Sequence, residues 1–179
     1  GVSLKQKVID GQDDEATEII AQVIIELNAP KITGQTPFPY VSELAKDLEL
    51  LKGKIPSSLF SYGRELFHRL LEAKENVLLH GDLHHDSILS HGKKYRAIDP
   101  HGYVGPQAFE VGACIRNPYD CFPHVRSLEE TRTSRLNILY RSLPFSREEI
   151  KGWALAYTLI AASWSVQDHA ELPIEHLNI

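Results

Sequence analysis

Residues 77–100 constrain the fold of this chain more than any other stretch. The apolar run Val77-Leu78-Leu79 leads into His80-Gly81-Asp82, and a second apolar run leads into Asp99-Pro100. Each carboxylate therefore follows strand-forming residues and lies beside a turn former, Gly or Pro. We expect two neighbouring β elements whose ends bring Asp82 and Asp99 out of the fold.

Two carboxylates at strand ends have two interpretations. Most Asp residues beside Gly or Pro simply stabilise a turn. In phosphoryl transfer, by contrast, one Asp accepts the proton of a hydroxyl group, and a second holds Mg²⁺ against the nucleotide phosphates. Either Asp alone would favour the turn, so the surrounding pattern has to decide.

That surrounding pattern resembles a family of kinases. HGDLHH at 80–85 is followed by IDPHG at 98–102 and RNP at 116–118. Over roughly residues 12–170 the chain is similar to the aminoglycoside phosphotransferase superfamily, and within it to the streptomycin and hydroxyurea phosphotransferases. The resemblance implies ATP- and Mg²⁺-dependent transfer of the γ-phosphoryl group to an alcohol group of a small molecule, for example an aminoglycoside such as streptomycin.

The same resemblance implies a role for each residue of the motif. Asp82 takes the place of the catalytic base, and Asp99 that of the principal Mg²⁺ ligand. His80 and Gly81 would scaffold the catalytic loop. Glu110 stands where the family suggests an Asp that binds the backbone of this loop, although a carboxylate exposed at a helix start explains it equally well.

Two positions depart from the family pattern. Ser87 stands where the family has an Asn whose amide oxygen binds the metal, and a Ser hydroxyl is a shorter ligand for an ion that needs octahedral geometry. His101 replaces a Lys and so removes a fixed positive charge near the phosphates. These departures leave a second hypothesis open, a catalytically impaired relative that acts as a small-molecule binding module.

The acceptor site is predicted from position alone. In this superfamily the acceptor pocket lies between the catalytic loop and the C-terminal helices, where acidic side chains meet ammonium groups. Trp164, Asp168 and Glu171 are the candidates, the first two on one helix face because they are four residues apart. Core packing is the more frequent role of an aromatic residue at such spacing.

A third hypothesis is a zinc hydrolase. His80 and His84 are four residues apart, and His85 follows, but a zinc site of this kind needs its ligands on a helix. Here the spacing begins at a strand end and includes Gly81 and Asp82, which disfavours zinc.

The expected fold class is α+β and mostly α, the C-terminal lobe of a protein-kinase-like fold with a small β hairpin region carrying the catalytic loop. Residues 1–179 form one such lobe in this interpretation. The N-terminal nucleotide lobe would be absent from this chain, since no Gly-rich phosphate loop or strand-rich segment precedes the first helix.

Periodicity and capping residues predict the helices. Apolar residues at three- and four-residue steps mark a helix from Asp13 to Leu27, and further helices are expected over 41–51 and 107–116. Ser57 or Ser58 would cap a helix that reaches about residue 74. Two S-x-x-E capping boxes, at 127–130 and 146–149, would begin helices ending near 143 and 170. Residues 102–105 are expected to form a mobile connector.

Composition limits the partners. The formal charge is −5, with 24 acidic and 19 basic residues, which disfavours a nucleic-acid surface and suits a cationic substrate. Cys114 and Cys121 fit no zinc or redox motif and are expected to be reduced, partly buried thiols. Without a signal peptide or a membrane-spanning apolar run, the cytoplasm is the expected location. The oligomeric state stays open.

Overall fold

The computed structural model of this chain describes residues 1–27, 30–72, 75–118 and 126–169. Its helices are α1 Lys5–Ile9, α2 Asp13–Glu26, α3 Ala45–Leu48, α4 Ser57–Leu71, α5 Val111–Arg116, α6 Leu128–Ser142 and α7 Arg147–His169. Four strands lie between α4 and α5: β1 Val77–Leu79, β2 Ile88–His91, β3 Lys94–Ala97 and β4 Tyr103–Gly105. The mostly helical α+β class expected from the sequence is confirmed.

The strands form two separate antiparallel pairs. Strand β1 pairs with β4, so that Val77 lies opposite Gly105, and β2 pairs with β3 in a hairpin that turns at Gly92. The connector predicted at 102–105 is therefore wrong, because three of its four residues form β4. The expectation of neighbouring strands also needs correction, because β1 and β3 belong to different sheets.

The long helix α7 forms the centre of the core. Trp153, almost fully buried, packs edge-to-face against Phe67 of α4 at 5.8 Å between ring centroids and against Phe109 at 5.2 Å. Gly112 of α5 lets this helix approach closely, since a Cβ atom there would lie 2.3 Å from the Cβ atom of Tyr157. These contacts fix the position of α7 relative to α4 and α5.

A buried ion pair connects α2 to α6. Arg135, which has no exposed surface, donates from Nε and Nη2 to the carboxylate of Asp13. Its remaining donors reach the carbonyl oxygens of Cys114 and Asn117. Because one carboxylate and two backbone carbonyls share this guanidinium, its buried charge is compensated, and α2, α5 and α6 are held together.

Most predicted helix boundaries agree with the structure. The two capping boxes are present, with Ser127 and Glu130 exchanging hydrogen bonds before α6 and Ser146 and Glu149 doing so before α7. The serine cap predicted for α4 is wrong, because Pro56 is the capping residue and Ser57 is already helical. The same helix ends at Leu71, before the predicted residue 74, and residues 73–74 lie outside the described part.

Three further local differences have simple causes. The predicted helix at 41–51 is α3 flanked by two 3-10 turns, Val41–Leu44 and Glu49–Leu51. The 107–116 helix begins as a 3-10 turn, Gln107–Glu110, and continues as α5. Helix α1 was not predicted, because five residues are too few to show a periodic pattern.

No described helix has the length and hydropathy needed to cross a bilayer.

Candidate active site

The loop at 80–87, which follows β1, is anchored by the backbone and side chain of His80. The carbonyl oxygen of His80 accepts hydrogen bonds from the backbone of His101 at 2.8 Å and Gly102 at 3.2 Å. Its Nε2 atom lies 2.8 Å from the carbonyl oxygen of Ile98. Since a carbonyl oxygen only accepts, Nε2 is the donor in this contact, and burial lowers the pKa of His80. One residue thus joins the two sheets on either side of Asp99.

Glu110 binds the backbone of the same loop through its carboxylate. Its side chain is buried, and its carboxylate accepts hydrogen bonds from the backbone N–H groups of His80 at 2.5 Å and Gly81 at 3.2 Å. Burial raises the pKa of Glu110 to about 7, although the two N–H donors oppose the shift. The structure therefore excludes the exposed helix-start carboxylate and provides the contacts that a scaffold role requires.

Only glycine fits at position 81. Its φ is +87°, a value that side chains rarely adopt, and a Cβ atom would lie 2.7 Å from the ring of Tyr103. The turn at Gly81 directs the next side chain, Asp82, out of the core toward α7.

Both oxygens of Asp82 are contacted. Oδ1 accepts a hydrogen bond from the Tyr157 hydroxyl at 2.6 Å. Oδ2 lies 3.4 Å from Nε2 of His84 and 3.9 Å from Nε2 of His101. Partial burial alone would raise the pKa of Asp82, but the contacts with His84 and Tyr157 outweigh it, so the pKa is lowered. Asp82 is therefore a carboxylate at neutral pH, with a quarter of its side chain exposed.

Ser87 closes the 80–87 loop on itself. Its Oγ accepts the backbone N–H of His84 at 2.9 Å and lies within donor range of two carbonyls, 3.1 Å from Asp82 and 2.9 Å from His84. The side chain is buried. Its hydroxyl is thus engaged by the loop backbone, and metal binding through Ser87 would require the loop to rearrange.

Asp99 is exposed, two residues beyond β3, and its φ is +56°. No hydrogen bond or ion pair with another described residue occupies its carboxylate. Carboxylate oxygen is the protein ligand that Mg²⁺ prefers, and Mg²⁺ commonly takes one or two carboxylates and fills its other positions with water and phosphate oxygens. The donor set at Asp99 therefore fits Mg²⁺, and an uncommitted carboxylate beside the anchored His80 is what such a site requires.

The three histidines of the motif do not converge. His80 faces the Ile98 carbonyl, while His84 accepts from the N–H of Asp86 through Nδ1 and directs Nε2 at Asp82. His85 is fully buried. Within the described ranges, no three His, Cys, Asp or Glu side chains come together as a metal site. The geometry needed for the zinc hypothesis is therefore missing from these histidines.

The predicted acceptor residues are only partly brought to the site. Trp164 is half-buried, packs edge-to-face on Tyr157 at 6.0 Å and donates its indole N–H to Asp47 at 3.3 Å. Asp168 is exposed near the end of α7, and Glu171 lies outside the described residues. Trp164 thus contacts the residue that contacts Asp82, whereas nothing described connects Asp168 to the loop.

Tyr157 was missed as a site residue, because the sequence indicated only its core spacing. Its ring is buried against Phe109, yet its hydroxyl reaches Asp82, 75 residues earlier in the chain. Periodicity can place a side chain on the buried face of a helix but cannot show where its terminal atom ends.

Of the two cysteines, Cys114 is a free, buried thiol, and burial raises its pKa to about 12. Cys121 lies outside the described residues.

Comparison with known proteins decides the family. The model of the aminoglycoside/hydroxyurea antibiotic resistance kinase family matches residues 1–169. This chain belongs to that family. It is 31% identical over 169 residues to streptomycin 3''-kinase of Klebsiella pneumoniae, and the match covers 92% of this chain and 63% of the relative.

Two further matches are with other kinases, one by sequence and one by fold alone. Methylthioribose kinase of Klebsiella pneumoniae subsp. pneumoniae is 31% identical over 140 residues, which cover 70% of this chain and 34% of the relative. The fold matches glucosamine kinase, solved with glucosamine, ADP and inorganic phosphate, at a TM-score of 0.54 and 15% identity, over 98% of this chain and 51% of that one. The kinase-like C-terminal lobe expected from the sequence is confirmed, and this chain spans less than two thirds of each of these proteins.

Proposed function

We propose that this chain carries the acceptor and metal residues of an ATP- and Mg²⁺-dependent phosphotransferase that acts on an alcohol group of a small molecule. The observation that carries the proposal is the His80 anchor. It holds a charged, partly exposed Asp82 and an uncommitted Asp99 on two segments joined by hydrogen bonds. A base and a metal ligand on one rigid frame are the parts that phosphoryl transfer needs.

In this proposal Asp82 orients the acceptor hydroxyl and takes its proton. Asp99 holds Mg²⁺, which would neutralise the phosphate charge. His80 keeps the two segments in register, Glu110 anchors the 80–87 loop, and a cytoplasmic location would supply ATP.

The proposed acceptor class is a hydroxylated and cationic small molecule. The 31% identity to streptomycin 3''-kinase supports it, and so does the acidic balance of the chain. Asp47, which accepts from the Trp164 indole, adds a carboxylate near the Tyr157 end of the site. An aminoglycoside such as streptomycin is therefore the first acceptor to test.

The engaged hydroxyl of Ser87 favours the second candidate, an impaired relative that binds a small molecule without phosphorylating it. With Ser87 held by the loop backbone, Asp99 alone would hold the metal. This candidate predicts acceptor binding without turnover.

Titration calorimetry of Mg²⁺-ATP into the full-length protein tests the metal assignment. Asp99→Asn should weaken binding about 10-fold or more, because a charged ligand is lost. Asp82→Asn is the matched control and should leave affinity nearly unchanged, since the base does not hold the metal. Equal affinity in the protein with and without Asp99→Asn would remove Asp99 from the metal site.

A further inference from the structure

The side chain of Asp82 has two chemically different oxygens in this structure. Oδ1 is within 2.6 Å of the Tyr157 hydroxyl, a distance typical of a short O–H···O⁻ bond. Among the residues that the structure describes, Oδ2 has only longer contacts, at 3.4 Å to His84 and 3.9 Å to His101. One oxygen is held firmly, and the other remains open to a further donor.

Tyr157 is itself held in one position. Its ring is 2% exposed and packs edge-to-face against Phe109 at 5.5 Å and Trp164 at 6.0 Å. Gly112 lies against its Cβ atom, so α5 fixes the start of the side chain as well. A hydroxyl on so constrained a ring has little freedom to leave Asp82.

The hydroxyl is also a permanent donor. Burial and the neighbouring Asp82 charge raise the pKa of Tyr157 well above its usual value, so it keeps its proton throughout the physiological range. A buried donor of this kind favours the ionised form of the carboxylate and fixes its plane.

Resting on the function proposed above, we infer that Tyr157 is the positioning residue of Asp82, holding Oδ1 so that Oδ2 is the oxygen that receives the acceptor proton. As the acceptor oxygen bonds to the γ-phosphorus, the hydroxyl proton moves to Oδ2. The bond from that phosphorus to the bridging oxygen breaks, and its electron pair leaves on ADP. Tyr157 keeps its own proton and touches no reacting atom.

Tyr157→Phe in the full-length protein is the test, because it removes the hydroxyl and keeps the ring. With streptomycin as acceptor, kcat should fall about 10-fold, the usual worth of a hydrogen bond to a charged group. KM for the acceptor should change little. The acid limb of the pH–rate profile should move to higher pH, since Asp82 loses a donor that favours its ionised form.

Tyr140→Phe is the matched control. The Tyr140 hydroxyl on α6 is buried and has no hydrogen-bond partner in the described part of the chain. Its removal should leave kcat and the pH profile unchanged. If Tyr157→Phe folds with a similar Tm and also leaves both unchanged, the inference is overturned.

A second measurement separates this inference from the proposed function. Carbon-13 NMR titration of the Asp82 carboxyl does not need turnover and should give a pKa below the usual value in the unsubstituted protein, raised in Tyr157→Phe. An Asp82 pKa at or above the usual value, or no rise in the variant, overturns the inference. Absence of phosphoryl transfer by the unsubstituted protein would instead overturn the proposed function and leave the titration to decide the role of Tyr157.

Discussion

The carboxylate of Glu110 lies 2.5 Å from the backbone nitrogen of His80, and both groups are buried. Glu110 ends the 3-10 turn that follows β4, whereas His80 follows β1. Together with the hydrogen bond from the N–H of Gly81, this contact ties the 80–87 loop to the helical core. The loop therefore depends on a side chain that is 30 residues away.

Glu110→Ala should lower the free energy of unfolding by roughly 2 to 5 kcal/mol, because two buried N–H donors lose their acceptor. Glu110→Gln keeps one acceptor oxygen and should cost less. Urea denaturation measures both. Glu65→Ala, which removes an exposed carboxylate of α4, is the control and should change stability by less than about 0.5 kcal/mol. Equal losses in Glu110→Ala and Glu65→Ala would contradict the scaffold role.

The ion pairs of two neighbouring acidic residues on α2, Asp13 and Asp14, should contribute very differently to the free energy of unfolding. Arg135→Met leaves Asp13 buried and unpaired and should cost about 3 to 5 kcal/mol. Arg126→Met breaks the exposed pair with Asp14 and should cost at most about 1 kcal/mol. Chemical denaturation of the two variants checks the difference. Similar losses would mean that burial of the Arg135 pair does not set its contribution.

The contribution of His85 to stability should become unfavourable as the pH drops below about 6.5. His85 is fully buried with no partner for either ring nitrogen in the described residues, and burial, with the nearby Arg135 and His84 charges, lowers its pKa well below 6.5. Below pH 6.5 the unfolded state therefore binds a proton at His85 that the folded state does not bind. The resulting loss of stability grows until the pH reaches the pKa of His85 in the folded state.

His85→Leu should flatten this acid-side loss, whereas His91→Gln, at an exposed position of β2, should not. Urea denaturation between pH 8 and pH 5 gives the comparison. The matched variants matter because Glu110 contributes with the opposite sign. Its pKa is raised to about 7, so its contribution to the stability of the folded state is lost as the pH rises from about 4.5 to 7. An unchanged pH profile in His85→Leu would refute the assignment to His85.

Ser87→Asn should tighten Mg²⁺ binding, because it adds the amide oxygen that the family has at this position. Ser87→Ala is the control, since both variants lose the hydroxyl that holds the loop and only Asn adds a ligand. Calorimetric titration of Mg²⁺-ATP measures both in the full-length protein. If the Asn variant gains nothing over the Ala variant, position 87 takes no part in metal binding.

Much of the fold could be predicted from local signals. The capping boxes at Ser127 and Ser146 gave the starts of α6 and α7, because each box satisfies orphan N–H groups with residues three positions apart. Strand β4 could not be recognised in this way. Its three residues, Tyr103–Gly105, lie between Gly102 and Pro106 and form a strand because β1 and Pro39 offer hydrogen-bond partners.

For the candidate site, too, residues close in sequence could be predicted, whereas contacts that depend on tertiary packing could not. Asp82, Asp99 and the His80 anchor lie within 20 residues of one another, and the motif that carries them was visible. The contacts that tune Asp82 come from Tyr157 and His84, and the first depends on how α7 packs against α5. The spacing of His84 suggests only a metal ligand, since a sequence does not show which way the ring nitrogens point.

The most direct test of the account is phosphoryl transfer from Mg²⁺-ATP to streptomycin by the full-length protein, followed by mass spectrometry of the acceptor. The account predicts a phosphorylated product and a kcat about 10² to 10⁴ times lower in Asp82→Asn, the usual contribution of a general base. Unchanged turnover in the variant would contradict the role of Asp82. No phosphorylated product from the unsubstituted protein, with streptomycin bound, would contradict the proposed kinase and favour the binding module.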